Sequence, residues 1–128
     1  MAITSELIGK LGGGDIETVT VNRLVERGDS WQLLHTLIVN RPSLISIMAT
    51  HDNTDAFGAT NGKAGLVVRG TESAYYGSNY GVSAASGHPL TVTAELSAGT
   101  WDIEAVCNVG SGTVRYTVQT LTIATINL

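Results

Sequence analysis

The chain is short of cysteine, of charge and of long apolar runs, and each shortage removes a class of proteins. Its 128 residues hold one cysteine, Cys107. A single thiol closes no internal disulfide, so the fold must be held by its core. Cys107 falls on the apolar phase of its segment with no basic residue set beside it, and reads as an inert core thiol. Charged residues make up only 14% of the chain against 43% hydrophobic ones, and the net charge is -4. With no basic footprint, nucleic-acid binding is not expected. The same balance argues for a compact domain with Thr, Ser and Gly on its outer faces rather than a disordered tail. No stretch approaches the ~20 apolar residues of a membrane-spanning helix, and Glu6 interrupts the opening before a secretory apolar core can form. Membrane insertion is therefore not expected, and synthesis in a reducing cytoplasm is.

Catalytic constellations are also missing. No paired carboxylates, nucleophile set or phosphate loop is visible, so the chain is not expected to be an enzyme or to carry a cofactor. His35 sits among apolar residues and His88 precedes Pro89; no serine or cysteine beside either assigns a general base. His51-Asp52-Asn53-Thr54-Asp55 is the one cluster with metal-ligand chemistry, but its spacing fits no calcium loop and no bidentate acid follows at the required distance. It reads as an Asx-rich loop, and no metal ligand is assigned. Arg27-Gly28-Asp29-Ser30 contains a familiar adhesion string and reads as ordinary turn chemistry.

What the chain does have is alternation. Leu90, Val92, Ala94 and Leu96 alternate with Thr91, Thr93 and Glu95; Trp101, Ile103, Ala105 and Cys107 alternate with Asp102, Glu104 and Val106; Val114, Tyr116 and Val118 alternate with Arg115 and Thr117. A period of two puts one set on a buried face of a strand and the other outward. Ser97-Ala98-Gly99-Thr100 and Gly110-Ser111-Gly112 read as hairpin turns between these strands. The phase then slips, because Val118 and Leu121 cannot share it, and a bulge near Gln119-Thr120 accounts for the slip.

Earlier in the chain, Asp15 to Val25 reads as a first strand with Val19, Val21 and Val25 inward. Residues 31–39 and 43–50, split by Asn40-Arg41-Pro42, are apolar on both phases, as in strands covered on both sides by a second sheet, a loop or another subunit. Gly65 to Arg69 is a short strand. Residues 70–88, rich in Gly, Ser and Ala, read as a long loop whose Tyr75, Tyr76 and Tyr80 either grip a protein or sugar ring or lie over the edge of the core. About nine short strands and no long helix give an all-β protein: an antiparallel β-sandwich, jelly-roll-like. Residues 15–128 form one sandwich domain, which at this length buries roughly two thirds of its unfolded surface.

Residues 1–14 stand apart. Ile3, Leu7, Ile8 and Leu11 fit one side of a short helix that is too brief to hold itself together. Gly12-Gly13-Gly14 follows as a hinge. Such an arm suits either a neighbouring subunit or its own domain.

Two stretches carry a resemblance. Leu96-Ser97-Ala98-Gly99-Thr100-Trp101-Asp102-Ile103-Glu104-Ala105, with the closing Leu121-Thr122-Ile123-Ala124-Thr125-Ile126, resembles the last strands of small jelly-roll domains in phage fibre and tail proteins, which share a fold with C1q and tumour-necrosis-factor modules. Ser5-Glu6-Leu7-Ile8-Gly9-Lys10-Leu11-Gly12-Gly13 is similar to the start of small minor tail proteins from long-tailed actinobacterial phages. Together they cover under half of the chain. They imply a non-enzymatic virion protein, of minor tail or decoration type, whose partners are other virion proteins and copies of itself. The alternative is a carbohydrate- or receptor-binding β-sandwich with a host-surface glycan as ligand.

Overall fold

A computed structural model describes residues 15–25, 30–53, 62–79, 90–109 and 116–128. They form eight strands: β1 (Asp15–Val25), β2 (Gln32–Val39), β3 (Ser43–Asn53), β4 (Gly62–Arg69), β5 (Ala74–Asn79), β6 (Leu90–Leu96), β7 (Gly99–Val109) and β8 (Tyr116–Asn127). Two four-stranded sheets result, in the orders β1-β8-β3-β6 (sheet A) and β2-β7-β4-β5 (sheet B). Every neighbouring pair is antiparallel. The fold is thus the expected antiparallel, jelly-roll-like β-sandwich, and no helix occurs among the described residues.

The alternation foreseen in the sequence builds the core. Ile45, Ile47, Leu121 and Ile123 of sheet A meet Leu66, Val68, Trp101 and Ile103 of sheet B, and all eight are buried. Each such side chain contributes about 1.5–3 kcal/mol when fully removed from water. Trp101 and Ile103 lie in this core as their phase requires. The slip in β8 is a bulge: Thr120 faces Thr50, yet the next pair is Val118 with His51, so Gln119 is an extra residue. The insertion turns both Val118 and Leu121 inward, where both are fully buried.

Four expectations need correction. The connection at 97–100 is not a hairpin, because β6 belongs to sheet A and β7 to sheet B. The expected turn at 110–112 lies outside the described residues, and the strands that flank it, β7 and β8, are not paired with each other. Alternation identifies strands but does not name their partners, and among the eight described strands only β4 and β5 are consecutive and paired with each other. Gly99, with φ of +148°, makes the first crossing in a conformation that side chains rarely adopt. Second, residues 74–79 are the edge strand β5 rather than loop. Third, His51 to Asn53 continue β3 beside Val118, Thr117 and Tyr116, so this part of the Asx-rich segment is strand. Fourth, no second sheet or loop among the described residues covers the outer faces of β2 and β3, which leaves another subunit as their cover. Leu33, Ile38, Leu44 and Met48 are all exposed.

The β2–β3 turn is tied to the end of the chain. Leu128 N–H donates to Pro42 O at 3.1 Å, and Arg41 Nη2 donates to Leu128 O at 3.0 Å. The buried Ser43 hydroxyl lies 2.7 Å from Arg41 O and 3.0 Å from Asn127 Oδ1. A hydroxyl has one proton to give. Donating it to Arg41 O leaves the oxygen to accept from Asn127, with the amide turned so that its nitrogen faces Ser43.

Candidate functional site

Three surfaces on this frame have the chemistry to bind something. The first is the outer face of sheet B. Because β5 pairs Tyr76 with Val67 and Tyr75 with Val68, the two tyrosines face opposite ways. Tyr75 shares the inner phase, its ring 5.9 Å from that of Trp101. Tyr76 faces out, 63% exposed, above the fully buried Val67. Its ring lies 5.8 Å from Trp31 at a 57° tilt, and the Arg69 guanidinium stands 6.0 Å from its centroid. Arg69 Nε donates to Glu104 Oε2 at 2.9 Å across β4 and β7. That hydrogen bond holds the guanidinium pKa above its ordinary value, against the lowering effect of desolvation and with help from Tyr76. Gly65 makes room for the tryptophan, since a Cβ there would lie 3.2 Å from Trp31 Cη2. The result is an aromatic and charged patch of Trp31, Tyr76, Arg69 and Glu104.

Inside the same edge, Tyr75 and Trp101 border a hollow of about 480 Å³ with Pro42, Ser73, Glu95, Leu96 and Ser97. Trp101 has its indole N–H bound to Ser97 O at 2.9 Å and is only 5% exposed, so it belongs to the core rather than to a binding surface.

The second surface is the outer face of sheet A. Its rungs run across the strands as Thr20, Thr120 and Thr50, then Thr18, Thr122, Met48 and Thr91, then Ile16, Ala124, Ser46 and Thr93. None of these positions is charged. Thr50 and Thr120 hydroxyls are 2.7 Å apart, and those of Ser46 and Thr93 are 3.0 Å apart. Ile16 and Met48 stand exposed among them, and the next rung, Ile126, Leu44 and Glu95, adds an exposed leucine and a carboxylate at the margin. Over these three rungs the face is a sheet of methyl groups and hydroxyls with a low cost of losing water, because none of their positions carries a charge to be desolvated.

The third is the seam between the two edge strands β1 and β2. A cleft of about 320 Å³ opens there, with Leu37, Val39, Ile45 and Ile123 in its lining and Asp15, Glu17 and Arg41 among its polar groups. The opposite seam is shut. Gly77 of β5 lies so close to β6 that a Cβ on it would fall inside the carbonyl oxygen of Thr91.

Of the residues singled out from sequence, Tyr75 and Tyr76 are placed and do not form one patch. Ile3, Leu7, Ile8, Leu11 and Tyr80 lie outside the described residues, as do Arg27-Gly28-Asp29 and Asp55. Trp31, Arg69 and Glu104 escaped the sequence reading. Trp31 directly precedes β2, Arg69 lies on β4 and Glu104 on β7, and pairing across β2, β7, β4 and β5 brings them together. Among the described residues no group of three or more His, Cys, Asp or Glu could hold a metal ion, and no helix is long and apolar enough to cross a membrane.

No family model and no curated protein sequence matches the chain. Its structure is similar to a chain in the structure of infectious bursal disease virus, Gx strain, with a TM-score of 0.51 and 12% identity over 88% of this chain and 33% of that one. The protein thus spans about a third of that chain's length. It is also similar to the CBM36-1 domain of a multidomain xylanase from the hindgut metagenome of Trinervitermes trinervoides, with a TM-score of 0.44 and 15% identity over 89% of this chain and 100% of that domain. A carbohydrate-binding module from Cellvibrio mixtus lichenase 5A, in complex with cellotriose, gives a TM-score of 0.42 and 14% identity over 88% of this chain and 86% of that one. At these identities the likeness is one of fold.

Proposed function

We propose that the protein is a non-enzymatic virion structural protein, of minor tail or decoration type, that docks on the particle through the outer face of sheet A. The observation that carries this is the run of eleven uncharged positions across β1, β8, β3 and β6, with Ile16 and Met48 standing exposed among them. Docking surfaces are depleted of charge at their centres, and a pre-formed sheet loses little side-chain entropy when covered. The resemblance of 96–105 and 121–126 to phage tail and fibre strands supports the same reading. Its partners are other virion proteins and further copies of the chain. The test is incorporation into particles. Met48→Glu and Thr122→Lys keep outward positions in their strands and should leave the isolated domain folded while abolishing incorporation. Undiminished incorporation of both variants would remove sheet A from the interface.

A second reading is favoured by one observation, the Trp31, Tyr76, Arg69 and Glu104 patch. Aromatic rings beside a guanidinium and a carboxylate suit a sugar, whose apolar ring face stacks while its hydroxyls accept and donate. On this reading the domain holds a host-surface glycan. Glycan-array binding that disappears in Tyr76→Ala would favour it, and an array without signal for the native protein would dismiss it.

A further inference from the structure

The two seams of the sandwich are unequal. At β5 and β6 the sheets come within backbone contact at Gly77 and Thr91. At β1 and β2 they stand apart over the 320 Å³ cleft. Both strands there are sheet edges, bonded to a partner on one side only, and each presents a row of unpaired backbone groups. Asp15 and Glu17 lie opposite Thr125 and Ile123, on the inward phase that Val19 continues into the core. A seam closed by its own side chains would carry apolar residues at those places. Neither carboxylate has a cation within ion-pair distance among the described residues. Ile16 and Ile38, on the outward phases of the same two strands, are 68% and 70% exposed, the highest of the described large hydrophobics.

We propose that this seam is the self-assembly interface, its cleft taking residues 1–11 of a second copy. The inference rests on the reading of the chain as a self-associating virion protein. Two features select the occupant. Fourteen residues precede Asp15, which is itself on the cleft's border. They carry Ile3, Leu7, Ile8 and Leu11 to meet the apolar lining, Lys10 to meet Asp15 and Glu17, and Glu6 to meet Arg41. A further feature selects a second copy over the chain's own arm. An arm lying between the sheets leaves Ile16 and Ile38 in water, whereas the body of a neighbour covers them as it delivers its arm.

The experiment uses the full chain with a photo-cross-linking amino acid in place of Leu7, as an equal mixture of unlabelled and isotope-labelled protein. Cross-linked peptides that join residue 7 to the segment from Leu37 to Ile45, with mixed-isotope pairs among them, are the expected result. Links within one isotope only, links elsewhere, or no links overturn the proposal. A second variant reads the charge match: Glu17→Lys should weaken association up to about five-fold in sedimentation, and Lys10→Glu in the same chain should restore it. An association constant indifferent to both changes also overturns it. Particle incorporation without inter-copy links defeats this interface and leaves the virion reading standing. Inter-copy links in a protein absent from particles defeat the virion reading alone.

Discussion

Trp101 Nε1 donates to the carbonyl oxygen of Ser97 at 2.9 Å, across the crossing where the chain leaves sheet A for sheet B. The indole thus fastens the crossing as well as filling the core between Tyr75 and the buried residues of β7. Trp101→Ala should cost about 3–5 kcal/mol. Trp101→Phe keeps most of the packing and loses a bond worth about 0.5–1.5 kcal/mol. Urea unfolding of the two variants checks the order, and an Ala variant as stable as the native protein would show the ring to lie outside the core.

Gly77 is expected to tolerate no side chain. A methyl group there meets the Thr91 backbone and the Val92 side chain, and backbone cannot swing aside as a side-chain tip can. Gly77→Ala should destabilise by at least the 1–3 kcal/mol typical of overpacking. A melting temperature unchanged by the substitution would mean that the two sheets stand further apart at this seam.

The Arg69 and Glu104 pair should matter little to stability. The Arg69 side chain is 39% exposed, so solvent screening limits the pair to under about 1 kcal/mol. The raised pKa of Arg69 fixes the sign of its pH dependence. Its stabilisation is complete below the unfolded guanidinium pKa and disappears only as pH climbs through the still higher folded value. Chemical unfolding at neutral and at mildly alkaline pH should therefore show the same difference between native protein and Arg69→Met.

Ser43 is the buried polar residue of the core margin, and its hydroxyl joins the β2–β3 turn to β8. Ser43→Ala leaves Asn127 without that partner and should cost about 1–3 kcal/mol. Faster amide exchange at Leu128, whose N–H is held by Pro42 O, is the local signature to look for.

The strands were legible because their signal is local. Alternation around Val92, Ile103 and Val118 depends on neighbours two residues away, and even the bulge at Gln119 left its trace as a broken phase. Partnership was not legible. Nothing near Ser97 or Gly110 says that the chain is changing sheets, since a turn and a crossing use the same small residues. The strand at 74–79 was hidden by its composition: Gly77 and Ser78 depress strand propensity, yet closeness to β6 is what makes a glycine necessary there. The candidate site suffered most, because Trp31, Arg69 and Glu104 are far apart in the chain and meet only through sheet pairing. Tyr75 and Tyr76, adjacent in the chain, were separated by the same geometry.

The position of β8 bears on how the chain is made. It lies between β1 and β3, paired with Asp15 to Val25 on one side and with Ser43 to Asn53 on the other. Of the eight described strands β1 emerges before the others and β8 after them, so β1 lacks its sheet partner until about a hundred further residues have left the ribosome. Contacts of such long sequence separation make for slow folding. Sheet A must then close by receiving β8 between two waiting strands, and a nascent chain stalled before Tyr116 has no continuous sheet A at all.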